Sequence, residues 1–173
     1  MNLYILDENI DKIAEYYCDA HVNSMILLNV EMLSAINKKF GYKAVYKVSS
    51  ITKKANNKII EWMSESLGNY VFVRRLTFLL NKEYNKRFDK NNHKSYVGMV
   101  SMPILPTYCF KNMKMTPFVF EMPDKFKIQN DIVASYRNFY FNHKREMKTW
   151  KLGEPDWWLE KQYCLKLCSE IKG

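Results

Sequence analysis

The segment from Asp19 to Gly41 constrains the fold most strongly. Val22, Met25, Ile26, Asn29, Leu33 and Ile36 recur at helical spacing until the glycine, which predicts one long helix with a face in the core. A helix of this length must be covered by other elements, so the rest of the chain is read for helices able to pack on it.

An apolar run from Leu3 to Leu6 precedes Asp7, a candidate cap for a first helix over about Glu8 to Cys18. Asp19 is the candidate cap for the long second helix. The stretch from Tyr42 to Asn57 has no sustained period and reads as a loop. A third helix is expected over about Lys58 to Leu67 and a fourth over about Asn69 to Phe88, with Gly68 separating them. On the fourth, Val73, Leu76, Leu80 and Tyr84 form the buried stripe, whereas Arg75, Lys82 and Lys86 share an outer face. Between Asp89 and Lys127 lie four of the five prolines, which predicts a long irregular segment. A fifth helix starts at Asn130 or Asp131 and runs to about Met147, and Pro155 opens the last, to about Ile171. The expected fold is mainly α: a single helical domain of five or six helices, residues 1–173, with a long Pro-containing irregular segment.

Nearly half the residues are hydrophobic and only five are glycine, which argues against disorder and against an all-β fold. No apolar run approaches the roughly 18 residues of a membrane span, so no membrane partner is expected and a place in the cytoplasm, the host cell interior, is. With 27 Lys and Arg against 18 Asp and Glu, the formal charge of +9 attracts polyanions. A Lys- and Asn-rich composition alone gives the same charge. Cys18, Cys109, Cys164 and Cys168 are read as reduced thiols. Cys18 and His21 with Cys164 and Cys168 would make a zinc set, but not at the spacing of a known finger or ribbon, so neither metal nor cofactor is expected.

Three constellations can carry chemistry. Asp19 and His21 suit an orienting carboxylate and a proton-transferring imidazole, although a capping Asp followed by a packed His accounts for the same spacing. Glu83 one turn before Arg87, followed by His93 and Lys94, suits an anion such as phosphate; an ordinary ion pair at a solvated helix end is the alternative. Tyr136, Arg137, Tyr140, His143 and Lys144, with Trp150, Trp157 and Trp158 behind them, interleave aromatics with cations, as base stacking and phosphate contact require, or as the edge of an aromatic core.

The stretches YYCDAHVNSMIL, WMSESLGNYVFV, EYNKRFDKNNHKS, FEMPDKFK, SYRNFYFNHKREMKTW and EPDWW, in this order, resemble a family of small, largely uncharacterised phage and viral helical proteins. Matching positions are Asp19, His21, Trp62, Asn69, Tyr70, Glu83, Tyr84, Arg87, His93, Lys94, Tyr136, Arg137, Tyr140 and Lys144. The chain departs at Ala20 and Ser24, where the pattern has Lys, at Leu28, where it has Glu, at Ser64, where it has Arg, and at Asn57-Lys58, where it has His-Pro. The layout is also distantly similar to pyrimidine-dimer DNA glycosylases of the phage endonuclease V type, which use an N-terminal amine and a helical glutamate. Here Asn2 favours retention of Met1, and Glu15 and Glu31 are the nearest glutamates.

These resemblances imply a nucleic-acid-acting phage or viral protein, of DNA-glycosylase type or a diverged relative. His21, Asp19 and Glu83 would be catalytic; Arg87, His93, Lys94, Arg137 and Lys144 would hold phosphates; Trp62, Tyr136 and Tyr140 would stack on a base. His21 is expected within hydrogen-bonding or one-water reach of Glu83, Arg87 or the fifth helix. The alternatives are a non-catalytic viral protein that binds a host factor, and a nucleotide-modifying enzyme.

Overall fold

The computed structural model describes residues 3–46, 57–143, 145 and 148–172. It is mainly helical, with seven α-helices among the described residues: α1 (Ile10–Tyr16), α2 (Asp19–Lys39), α3 (Asn57–Glu65), α4 (Leu67–Phe88), α5 (Lys94–Val100), α6 (Ile132–Asn142) and α7 (Asp156–Lys172). Short 3-10 turns occupy Thr107–Cys109 and Asp124–Phe126. Among the described residues no helix is long and apolar enough to cross a membrane.

α2 is the central helix. Its buried residues include Val22, Met25, Ile26, Leu33 and Ile36, but also Leu28, Val30 and Met32, so it is covered on more than one face. It packs against α4, α5 and α3, and α1 packs on α4. Leu3 to Leu6 are buried in the same cluster as these helices. Burial of side chains this size supplies roughly 1.5–3 kcal/mol each, the main term favouring the fold.

Several boundaries differ from the sequence reading, each for a local reason. The cap of α1 is Asn9, whose side chain accepts from Asp11 N at 2.9 Å; Asp7 turns instead to Asn9 N and Arg137. Asp19 is the first residue of α2 and not its cap, which is Cys18. The break between α3 and α4 falls at Ser66, extended at φ −143° and ψ 151°, whose hydroxyl accepts from Asn69 N. Gly68 lies inside α4, where a Cβ would collide with the Met115 backbone nitrogen. This contact exists because Leu67 N and Gly68 N donate to the carbonyls of Asn112 and Met113, at 2.9 and 3.1 Å. The returning chain satisfies donors that every helix N-terminus leaves open.

α5 adds a helix where the sequence reads as a polar loop. His93 caps it: ring Nδ1 accepts from Ser95 N at 3.1 Å, while the His93 N–H donates to Asn81 Oδ1. α6 ends at Asn142, several residues before the expected end, with His143 already extended. Lys148 therefore lies beyond the helix that carries Arg137. Lys148 folds back over the Tyr140 ring, 4.8 Å from its centroid, and Lys144 and Met147 lie outside the described residues.

Candidate functional site

The sequence-selected residues meet where the start of α2, the C-terminal turns of α4 and the middle of α6 come together. Arg87 is the hub. Its side chain is 3% exposed and its donors reach four acceptors: Glu83 Oε2 at 2.8 Å, Tyr17 O at 2.6 Å, Glu15 O at 2.7 Å and Asp19 Oδ1 at 3.3 Å. Asp19 also accepts from Lys151 N at 3.0 Å and Thr149 Oγ1 at 3.4 Å. The Asp19–Glu83–Arg87 group thus ties α1, α2, α4 and the segment before α7 together. A buried guanidinium needs such complete pairing, because an unpaired one costs several kcal/mol.

His21, one turn into α2, faces α6. Its Nδ1 lies 2.7 Å from the Tyr140 hydroxyl, which also accepts from Cys18 N at 2.9 Å. Because the Tyr140 oxygen already accepts from Cys18 N, we assign its O–H as the donor to His21 Nδ1, so that nitrogen accepts. Tyr4 stacks on the imidazole, with centroids 5.2 Å apart and planes at 18°. His21 therefore does come within reach of the predicted fifth helix, through a tyrosine and not a carboxylate.

Around it lies a set of buried phenols. Tyr17 donates to Tyr4 O and accepts from Tyr4 N, and Tyr136 donates to Val119 O. Burial holds them neutral: Tyr4 and Tyr136 are pushed up to about 12, and Tyr17 and Tyr140 are raised well above the ordinary value. Trp62, Tyr136 and Tyr140 are each 1% exposed, and Trp62 Nε1 donates to Thr116 O at 3.4 Å. A base can stack on them only after their packed neighbours move.

The remaining predicted ligands are dispersed. Arg137 donates through Nε to Leu6 O and through NH2 to Asp7, at 2.7 and 2.8 Å, and lies against the Trp157 and Tyr16 rings. It borders a cavity of about 630 Å³ whose lining includes Asp7, Glu8, Asp131 and Glu160, which disfavours a phosphate there. His93 is spent as a cap, and burial lowers its pKa, in keeping with an unprotonated acceptor nitrogen. Lys94 is exposed at the first position of α5. Two small cavities flank the Arg87 hub: one of about 240 Å³ with Lys12 and Lys86 at its wall, one of about 290 Å³ with Ala20, Tyr84, Phe88 and Lys90. Among the departures from the family pattern, Leu28 is buried and Ser64 bonds to the Glu61 carbonyl, so neither stands at the junction as an open polar group.

The sequence reading left one surface outside the site. On the outer face of α4, Arg75, Lys82 and Lys86 are exposed on the same side as Phe78, 45% exposed, with the Lys82 ammonium 5.8 Å from its ring. Among the described residues neither Lys82 nor Lys86 has a carboxylate within ion-pair distance. The signal was present: Phe78 stands three residues after Arg75 and four before Lys82, one stripe of a helix. Comparison with protein-family models, curated proteins and solved structures returned no match.

Proposed function

We propose that the chain is a nucleic-acid-binding protein, a diverged relative of the base-processing type, which contacts its ligand along the outer face of α4. The observation that carries this reading is the stripe of Arg75, Phe78, Lys82 and Lys86, cations on the same side as an accessible ring on a protein of charge +9. Such a stripe can neutralise successive phosphates and stack on an unpaired base, a combination suited to single strands. Catalysis of glycosylase type is the less supported form, since Asp19 and Glu83 are both engaged by Arg87. It would require the tyrosine cluster to open around a flipped base.

Titrating a short single-stranded DNA at several salt concentrations tests the proposal. Lys82→Ala with Lys86→Ala should flatten the log K against log salt slope by about 0.7 per lost phosphate contact, and Phe78→Ala should cost about 1–3 kcal/mol of affinity. Unchanged affinity and slope in both variants would refute it.

A further inference from the structure

The last helix continues beyond its packed portion. Trp157 and Trp158 are buried, whereas every residue from Gln162 to Ile171 is exposed, including Tyr163, Leu165 and Leu167. A solvated helical stretch this short is marginal by itself. Within it stand Cys164 and Cys168, both free and exposed, one turn apart on one side of the helix.

Helix geometry decides what such a pair can do. Residues at i and i+4 hold their Cβ atoms about 5–6 Å apart, more than the roughly 3.5–4.5 Å that a disulfide spans. Two sulfurs on one tetrahedral ion, at about 2.3 Å each, lie about 3.8 Å apart, a separation the two side chains reach by turning toward each other. The pair is therefore mismatched to a disulfide within the helix and matched to a bridging ion. The single-chain zinc set considered from sequence does not assemble: Cys18 is buried in the core, and no group of three or more metal-binding side chains occurs among the described residues. One chain supplies two sulfurs here, and a tetrahedral ion takes four ligands.

We propose that Cys164 and Cys168 form half of a four-sulfur site for a thiophilic divalent cation of the zinc class, completed by the same pair from a second copy of the chain. Antiparallel α7 helices related by a two-fold axis at Lys166 place Cys164 of one copy opposite Cys168 of the second, twice over. About that axis Leu165 lies beside Leu165 of the second copy and Leu167 beside its Leu167, one pair on each flank of the sulfurs, which gives these exposed side chains apolar partners. At 100° per residue Lys166 points away from the cysteines, so the two ammonium groups do not meet on the axis. Each ion bound displaces the four thiol protons to solvent, which makes assembly stronger at higher pH. The proposal is independent of the nucleic-acid reading.

Cadmium(II), titrated into the reduced full-length chain free of added thiol, tests it through sulfur-to-cadmium charge-transfer absorption and sedimentation mass. The expected result is saturation at one ion per two chains with a doubling of mass. Cys164→Ser and Cys168→Ser should each lose both signals without change in helical content, and Cys109→Ser should keep both. Absence of the charge-transfer band, saturation at one ion per chain without a dimer, or full retention in Cys164→Ser would each overturn it.

Discussion

Arg75 and Arg87 stand on the same helix and meet opposite fates. The Arg87 side chain is 3% exposed and satisfied by two carboxylates and two backbone carbonyls; that of Arg75 is 59% exposed, with one contact of 3.4 Å to the exposed Asp11. The first cation holds elements together, because its charge has nowhere else to go. The second contributes little to stability, since water and salt screen its contact, but it remains open to a ligand. Cationic character in this chain thus divides into an internal clamp and an external surface, and a variant at one should leave the other largely intact.

The largest expected effect is at the clamp. Arg87→Ala leaves Asp19 and Glu83 partly buried without their cation and should destabilise the fold by about 3–5 kcal/mol, read as a lower urea midpoint. Arg87→Lys should recover little, because an ammonium cannot reach all four acceptors in their fixed directions. If Arg87→Ala unfolds at the wild-type midpoint, the clamp is not structural.

A second effect comes from the phenols beside the clamp. Tyr4 and Tyr136 keep their protons up to about 12 when folded, whereas an unfolded chain releases its phenolic protons near 10. Folded stability from this source is complete below pH 10 and declines as pH rises from there to about 12. Denaturant midpoints measured across that window should fall, and Tyr136→Phe should reduce the fall. A flat profile would mean that these phenols ionise as freely folded as unfolded.

The smallest effect belongs to the outer face. Lys82→Ala with Lys86→Ala should change stability by no more than about 0.5 kcal/mol while changing DNA affinity as described above. A large loss of stability would place these lysines with the clamp and erase the distinction.

How far the sequence reveals this division depends on the range of the interactions involved. α2 and the body of α4 were legible because their apolar periods run unbroken over many turns, and the Glu83–Arg87 pair was legible as an i, i+4 neighbour at 2.8 Å. That Arg87 is buried was not, because Tyr17 O and Asp19 lie about 70 residues earlier. α5 escaped notice since its start is a histidine cap and its interior holds Gly98, whose absent side chain leaves room for Val45, a Cβ there falling 2.9 Å from Val45 Cγ1. Docking, not propensity, makes that helix. The basic stripe of α4 is legible as charge, but its standing as the open surface depends on Arg87, His93 and Arg137 being engaged elsewhere, through contacts distant in sequence.

The seam between Ser66–Asn69 and Asn112–Thr116 has a kinetic consequence. The Asn69 side chain bonds to Thr116, 47 residues later, and the amides of Leu67 and Gly68 find their acceptors in the same returning segment. Until that loop closes, the first turn of α4 has no partners for these donors and frays like any free helix end. Hydrogen exchange at Leu67 and Gly68 should therefore follow the opening of the loop and not the unwinding of α4, so two amides at the head of one helix act as a clock for a segment far along the chain.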